Sequence, residues 1–280
     1  MHIREYSLPA GWYPRNPSDI SGEISRYLKG FSHPAFSRAA ISPHAGWFYS
    51  GRIASIGVSA LDRNAQTVAV IGGHLAAGSP ALFAMEDAVR TPFGPMPINT
   101  DLRAALTKEL NGAQDKYRDN TVEVLLPMVR HFFPNASLLW LRLPEDKNSF
   151  EAGKIISRVA ASLKCRINVL GSTDLTHYGA NYGFSPKGSG KAALRWVQEV
   201  NDAAFIRAVE DGDSDKVLLC ANKDSSSCSA GAVLGAMGFA EAEGLGRARL
   251  LEYGTSADMQ ANDGVPDSFV GYAAFTFGAE

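Results

Sequence analysis

The sequence is poor in cysteine, and it contains neither a long apolar run nor a cluster of basic residues. Its three cysteines, Cys165, Cys220 and Cys228, form no CxxC pair, which indicates reduced thiols rather than a disulfide framework. The longest apolar stretches, around residues 232–240, fall well short of the roughly 20 residues that a membrane span requires. The 27 basic residues are scattered along the chain, so nucleic acid is not an expected partner.

Several familiar signatures are also missing. Residues 1–14 carry charged residues and prolines but lack the apolar segment of a signal peptide, so together with the reduced thiols they predict a cytoplasmic protein. No GxSxG, HExxH or GxGxxG occurs, and the glycine-rich stretch 183–191 lacks the spacing of a P-loop. We therefore predict no nucleotide or organic cofactor.

Short apolar segments alternate with helical patterns along the chain. Strands are predicted at residues 38–42, 67–71, 137–143 and 166–170, each leading into a polar or glycine-containing turn. With 280 residues, 45% of them hydrophobic, the chain can bury a substantial core, and no linker rich in Pro, Gly or Ser divides it. The alternation predicts a single α/β domain over residues 1–280, a three-layer α/β/α arrangement with a mostly parallel or mixed central sheet.

The remaining segments fit the same architecture. Residues 88–99, rich in Pro and Gly, predict an irregular excursion or a hairpin. The two closing strands are predicted at 247–253 and 269–277. Apolar periodicity predicts the helices, at 18–31, from the end of the loop 43–51 to about 61, and at 100–110, 121–133, 150–163, 191–210, 213–221 and 228–242.

Three of the six histidines, His44, His74 and His177, directly follow predicted strands. Because ligands bind beyond the carboxyl ends of the strands in open α/β sheets, these histidines predict one shared site. A lone histidine in such a position is more often a structural residue, but three at equivalent edges favour a pocket. The other three, His2, His33 and His131, fall in the N-terminal tail, a loop and a helix end.

Asp174 lies three residues before His177. If this stretch is one helical turn, the two side chains face the same side, and the carboxylate orients the imidazole as a general base requires. The alternative is a helix-capping aspartate beside a surface histidine.

Cys228 lies near the start of a predicted apolar helix. A helix N-terminus lowers the pKa of a thiol and favours the thiolate, which ligates metals or attacks carbonyls. The alternative is a small buried residue, the usual fate of a free cysteine, and Cys165 and Cys220 are interpreted in that way. Glu123, inside an apolar helical pattern, is either a solvent-facing residue or a partner that supports the site.

Taken together, these segments resemble the Memo family, also called AmmeMemoRadiSam system protein B. Residues 10–14 (AGWYP), 42–51 (SPHAGWFYSG), 72–74 (GGH) and 172–179 (STDLTHYG) are similar to family motifs in the same order. Cys228 aligns with the cysteine of the family's CG segment. Residues 253–258 (YGTSAD) and 270–274 (VGYAA) are similar to its closing motifs.

The family resembles the LigB-type extradiol dioxygenases, which are non-haem Fe(II) enzymes. This resemblance implies that His44, His74 and Cys228 are metal ligands, with Fe(II) the first candidate and Cu or Zn the alternatives. It also implies that His177, with Asp174 beside it, is the acid/base residue. Two imidazoles and one anionic ligand leave coordination positions open for substrate and O₂. Radical-SAM and AMMECR-type proteins are the partners that the resemblance implies.

This sequence departs from the family pattern at Asn120, where a histidine is common, and at Ser229, where the family has glycine. Three functions therefore stay open. The first is a metal-dependent redox enzyme acting on a small molecule. The second is a metal-free hydrolase or transferase that uses Cys228 with His177 and Asp174. The third is a non-catalytic module that binds a peptide, as the phosphotyrosine-binding eukaryotic members imply.

Overall fold

Four parallel strands lie at the centre of the fold, where the four apolar segments predict them. The protein's structure, a computed structural model, describes residues 1–32, 35–260 and 264–278. Across the sheet the strands follow one another as β2 (Ala39–Ser42), β9 (Ile167–Ser172), β3 (Thr67–Gly72) and β8 (Ser137–Arg142). Nearly all of their residues are buried, as expected of parallel strands covered on both faces, and this explains their continuous apolar character.

The other strands of the central sheet make it mixed. They are β4 (Leu82–Phe83), β7 (Ala113–Gln114), β10 (His177–Gly179), β11 (Ala248–Thr255) and β12 (Ser268–Phe277). β12 runs antiparallel to β2, β10 and β11, and β4 runs antiparallel to β8. The predicted hairpin is β5 (Ala88–Thr91) with β6 (Gly94–Pro97), which forms a separate small sheet with β1 (Ile3–Arg4).

Helices follow the predicted positions to within a few residues in most cases. They are α1 (Pro17–Tyr27), α2 (Trp47–Ser59), α3 (Thr100–Glu109), α4 (Asn120–Glu123), α5 (Leu126–Phe132), α6 (Asn148–Ser162), α7 (Gly190–Trp196), α8 (Asp202–Glu210), α9 (Ser214–Asp224) and α10 (Ala230–Ala242). A π-helical turn, Val197–Asn201, joins α7 to α8. Short 3-10 helices span Ala180–Tyr182 and Ser256–Gln260.

Side chains alternate between two cores on opposite faces of the sheet. Val68 and Val70 pack with residues of α1, α2 and α5, whereas Ala69 and Ile71 pack with residues of α6 and α10. Each fully buried aliphatic side chain stabilises the fold by roughly 1.5–3 kcal/mol. The two cores confirm the three-layer α/β prediction. One domain over residues 1–280 stays a prediction.

The predicted helix over residues 121–133 is wrong in one respect, because it is broken into α4 and α5. Pro127 has no N–H to donate to the carbonyl of Glu123, so one continuous helix cannot form. The first piece is capped by Asp119, whose side chain accepts from the N–H of Thr121 at 2.9 Å. This short helix places Asp119 and Asn120 beside the carboxyl end of β3.

In the described parts of the chain, no helix combines the length and the apolar character that a bilayer-spanning segment needs.

Candidate metal centre and adjoining cavity

Three of the predicted site residues meet at the carboxyl edge of the parallel strands. His44 follows β2, His74 follows β3, and Cys228 precedes α10. One nitrogen from each imidazole and Sγ of Cys228 all lie within 4.8 Å of one another. Nε2 of His44 is 3.2 Å from Sγ of Cys228, and the two imidazole rings meet edge to face with centroids 5.1 Å apart.

His44 is buried, and a chain of two hydrogen bonds sets its ring orientation. The first joins the imidazole to the Ser172 hydroxyl, and the second joins that hydroxyl to the carbonyl of Thr121. The Ser172 hydroxyl donates to the carbonyl of Thr121 at 2.5 Å, so its oxygen is left to accept from Nδ1–H of His44 at 2.9 Å. A hydrogen bond at one ring nitrogen decides which nitrogen is available for a metal. Nε2 of His44 is therefore directed at Cys228.

His74 is held by a carboxylate instead. Its Nδ1 lies 3.0 Å from Oδ2 of Asp119, an acceptor, so Nδ1 donates and Nε2 is left for the cluster. Burial opposes protonation, but the hydrogen bonds to Asp119 and Cys228 raise the pKa of His74 to about 10. The backbone of His74 has φ of 55°, a left-handed conformation that costs a residue other than glycine about 1–2 kcal/mol.

Cys228 lies just outside α10, whose N-cap is Ser229. Its N–H donates to the carbonyl of Asp174 at 3.2 Å. Burial alone would raise the pKa of the thiol, but the charge of His44 and hydrogen bonds from His44 and His74 hold that pKa well below its usual value. The thiolate, the form that ligates metals, is thus favoured by the two imidazoles.

This donor set fits a transition-metal ion. Tetrahedral coordination with Zn–N of about 2.0 Å and Zn–S of about 2.3 Å places nitrogen and sulfur about 3.5 Å apart, close to the 3.2 Å between Nε2 of His44 and Sγ of Cys228. Both imidazoles have their outer nitrogen hydrogen-bonded, which is the usual pattern around metal-bound histidines. The raised pKa values of His44 and His74 favour positive charge on the imidazoles beside the thiolate, and a bound metal ion would supply that charge instead.

Asp174 and His177 do not lie on one helical turn, so the condition for their facing the same side is not met. His177 begins β10, where it pairs with Val270 of β12, and its Nδ1 donates to the carbonyl of Leu175 at 3.0 Å. Oδ1 of Asp174 instead accepts from the backbone N–H of His44 at 2.7 Å. Burial raises the pKa of Asp174, although the positive charge of His44 opposes this shift.

The proposed triad of Cys228 with His177 and Asp174 is likewise not formed, because the imidazoles that bond to the thiol belong to His44 and His74. Of the remaining histidines, His131 lies at the end of α5, where Nδ1 is 3.3 Å from the Ser21 hydroxyl. His2 lies beside Asp87. His33 lies outside the described residues.

A cavity of about 990 Å³ adjoins the cluster. Asp174, His177 and Asn120 belong to its wall, and Oδ2 of Asp174 is 3.9 Å from Nε2 of His44. The three ligand candidates therefore lie next to this wall rather than in it. The aromatic part of the wall consists of Trp12, Tyr49, Tyr182 and Tyr272.

Asn120 and Glu123 take different places on α4. Asn120 faces the cavity and donates from Nδ2 to the carbonyl of His44 at 3.0 Å. Glu123 is 3% exposed and accepts from the N–H of Ser7 at 2.8 Å and from the hydroxyl of Tyr13 at 3.0 Å. Glu123 is thus not solvent-facing. It anchors the N-terminal segment that supplies Ala10, Gly11 and Trp12 to the cavity wall.

Sequence reasoning missed Ser172, Asp119 and Arg142. Ser172 ends β9 and orients His44. Asp119 orients His74 across 45 positions of sequence. Arg142 ends β8 and bonds to the backbone of the His74 turn. A charged residue closing the buried strand 137–142 was the one available signal, because such a residue needs a partner.

The fold and the cluster define an α/β protein with two histidines and one cysteine at the carboxyl edge of its parallel strands. A family model described as "Memo-like protein" matches residues 4–276. The chain therefore belongs to the Memo-like family.

Curated relatives cover nearly its whole length. A MEMO1 family protein of Pyrococcus abyssi is 29% identical over 97% of this chain and 98% of the relative. One from Thermococcus onnurineus is 28% identical over 98% and 99%, and one from Methanococcus maripaludis strain C6 is 26% identical over 93% and 88%. A solved structure of an uncharacterized Escherichia coli K12 protein is 11% identical with a TM-score of 0.43, covering 78% of this chain and 88% of that one. That likeness carries no argument.

Proposed function

We propose that this protein binds one transition-metal ion at His44, His74 and Cys228 and catalyses a redox reaction on a small molecule in the adjoining cavity. Fe(II) is the first metal to test, and Cu and Zn are the alternatives, because a thiolate with two imidazoles suits each of them. The observation that carries the proposal is the convergence of the three donor atoms within 4.8 Å.

Iron bound there would supply electron transfer and open positions for O₂ and substrate. The chain itself supplies an acid/base pair on the cavity side. Because Nδ1–H of His177 is bonded to the carbonyl of Leu175, its Nε2 is left to take a proton from a ligand in the cavity. Asp174, buried with a raised pKa, lies between that cavity and the cluster.

The cavity favours a small organic substrate over a phosphopeptide. Phosphate recognition in peptide-binding modules uses arginine clusters. Among the described residues that line the cavity, none is Lys or Arg, and the carboxylates of Asp174 and Asp267 repel an anion. Tyrosine and tryptophan side chains instead offer flat apolar surface and hydroxyl groups.

A second candidate function is nucleophilic catalysis by Cys228. The supporting observation is the 3.2 Å contact between its thiol and Nε2 of His44, together with the lowered pKa of the thiol. Such an imidazole–thiolate pair is the usual form of an activated cysteine. In this arrangement His44, rather than His177, is the base.

The test is elemental analysis of anaerobically purified protein after loading with Fe(II), Cu or Zn in turn. The proposal predicts about one ion per chain for the wild type and none for His44→Ala or Cys228→Ser. The matched control is His177→Ala, which removes an imidazole from the cavity side and retains the ion. Stoichiometric metal in all three variants would contradict the proposal.

The second candidate gives a different pattern. It predicts no metal requirement and rapid alkylation of Cys228 at pH 7 in the wild type, slowed in His44→Ala because the thiolate loses its partner. A metal that protects Cys228 from alkylation supports the metal-dependent function instead.

The proposed environment follows from the same thiolate. Cys165, Cys220 and Cys228 are free, and a ligating thiolate persists in a reducing compartment, so we propose the cytoplasm. Radical-SAM and AMMECR-type partners stay predictions. Asn120 in place of the family's histidine limits the proposal to redox chemistry in general, without the ring-opening step of the dioxygenases.

A further inference from the structure

One buried cation, Arg142, contacts both backbone carbonyls of the His74 turn and the carboxylate that orients the His74 ring. Its side chain is 3% exposed at the end of β8, next to Gly72 of β3. Nε donates to the carbonyl of Gly73 at 2.9 Å and Nη2 to the carbonyl of His74 at 3.4 Å. The guanidinium therefore holds both carbonyls of the left-handed turn that carries the histidine.

The same guanidinium also holds the carboxylate that orients the ring. Nη2 of Arg142 is 3.2 Å from Oδ2 of Asp119, and that oxygen is 3.0 Å from Nδ1 of His74. Asp119, the imidazole, the His74 carbonyl and Arg142 thus form a closed ring of interactions. Within it, the backbone and the side chain of one residue are fixed by a single cation.

Arg142 is itself anchored from behind by Asp115. Nη1 of Arg142 lies 3.4 Å from Oδ1 of Asp115, which is fully buried, and Nε1–H of Trp140 donates to the other carboxylate oxygen at 2.9 Å. Buried charges need such paired partners. The anchor leaves the planar fork of donors in one orientation, which a lysine ammonium cannot reproduce.

We infer that Arg142 is a positioning residue for the metal site, which sets His74 through the backbone carbonyls of Gly73 and His74 and through Asp119. This inference rests on the proposed metal site. It assigns no contact between Arg142 and the metal or the substrate. Its consequence is that metal affinity depends on a residue from a strand that carries no ligand.

The experiment measures the dissociation constant of Zn(II) by competition with a chromophoric chelator. Arg142→Lys keeps the charge but loses the fork, and we expect its constant to rise about 10- to 100-fold, the usual effect of removing a group that orients a metal ligand. The matched control is Arg4→Lys. Arg4 contacts Asp115 and Glu86 of the same network but touches neither the His74 turn nor Asp119. The Zn(II) affinity of Arg4→Lys therefore stays at the wild-type value.

A second variant tests the ring from its other end. Asp119→Asn lies nearer the surface, with its side chain 9% exposed, and carries the test even if Arg142→Lys does not fold. Because both changes act through His74, the double variant should lose no more Zn(II) affinity than the weaker-binding single variant. Two independent sites would instead give additive losses. In a Co(II)-loaded sample, Arg142→Lys keeps the sulfur-to-metal absorption of Cys228 and changes the ligand-field bands.

The outcomes separate the two proposals. A wild-type protein that binds no metal overturns the proposed function and this inference with it. A wild-type protein that binds Zn(II), together with a folded Arg142→Lys variant of wild-type affinity, overturns this inference alone. Where Arg142→Lys does not fold, wild-type affinity in Asp119→Asn overturns it. Equal loss of affinity in Arg142→Lys and Arg4→Lys also overturns it, because a general structural role of the network then explains the effect.

Discussion

The two histidines that face Cys228 are held in opposite ways. We define the inner site as His44 with Ser172 and Thr121, and the rim site as His74 with Asp119 and Arg142. His44 has 1% of its side chain exposed and is oriented by neutral groups. The side chain of His74 is 34% exposed and is oriented by ionic ones.

The difference follows from the cost of burying charge. An unpaired ion is expensive in a dry interior. At the inner site the imidazole is hydrogen-bonded to a hydroxyl, whereas the buried carboxylate of Asp174, whose pKa burial raises, bonds to the backbone N–H of His44. The rim site lies near water, where Asp119 is balanced by Arg142. Burial alone would raise the pKa of Asp119, but hydrogen bonds from His74 and Thr121 and the charge of Arg142 lower it. The two candidate ligands, His44 and His74, are thus oriented by different kinds of interaction.

Removing each imidazole is the strongest test of this comparison. We expect His44→Ala to abolish measurable Zn(II) binding, because water cannot readily enter the buried position next to Cys228 and take the place of the imidazole. His74→Ala should weaken binding but leave it measurable, because water can enter the exposed rim position. Calorimetric titration of both metal-free variants checks this. Equal loss in the two variants would contradict the distinction between inner and rim sites.

Metal affinity should depend on pH through the rim site. With a pKa of about 10, His74 is protonated at neutral pH and must release that proton before it coordinates. Affinity for Zn(II) therefore rises with pH between pH 7 and pH 9, by about tenfold per unit for each imidazole proton that the ion displaces. Burial opposes protonation of His44, but the charges of Asp174 and Cys228 raise its pKa as well, so His44 adds to the slope in the same direction. Titrations at three pH values measure the slope. His74→Ala is the control. Its Zn(II) affinity should rise less steeply with pH than that of the wild type, because one proton fewer is displaced per ion.

Two glycines near the histidines give a matched pair for stability: Gly73, directly before His74, and Gly46, two residues after His44. A Cβ on Gly73, in the rim site's turn, would lie 2.4 Å from Cβ and 2.8 Å from Cα of Ser229. A Cβ on Gly46, after His44, would meet only the Trp12 backbone at 3.7 Å or more. We expect Gly73→Ala to lower the free energy of unfolding by about 1–3 kcal/mol and Gly46→Ala to leave it nearly unchanged. Denaturant unfolding measures the free energy of unfolding of both variants. Equal stability of the two would contradict the tight contact at Ser229.

The smallest effect is expected at Ser172. Ser172→Ala removes the acceptor of Nδ1–H of His44 without changing the packing of the ring. Zn(II) affinity should fall by about tenfold, the low end for loss of a hydrogen bond to a metal-bound histidine, with the pH slope unchanged. A change in that slope would mean that the Ser172 hydroxyl alters how strongly His44 holds its proton.

Much of this arrangement could be predicted from the sequence, because strand ends determine it. The apolar segments before His44, His74 and Asp174 are recognisable as buried strands, and parallel strands bring their carboxyl ends to one edge. Cys228 was recognisable as a site residue from its position near the start of an apolar helix and from the family resemblance. No local pattern indicated that its thiol would meet His44 rather than His177.

The orienting groups were missed because they act over long range. The sequence around Asp119 is that of an ordinary helix cap. Asp119 is indeed the N-cap of α4, since its Oδ1 accepts from the N–H of Thr121. Nothing near it reveals that Oδ2 reaches His74. The helical turn considered at Asp174–His177 does not form, again because of a long-range contact, since His177 and Tyr178 pair with Val270 and Phe269 of β12.

The central claim is that His44, His74 and Cys228 hold one metal ion, and X-ray absorption of the Zn(II)-loaded protein tests it most directly. The account predicts one sulfur at about 2.3 Å and two nitrogens at about 2.0–2.1 Å from the metal, with the sulfur lost in Cys228→Ser. A spectrum with only oxygen and nitrogen neighbours in the wild type would contradict it.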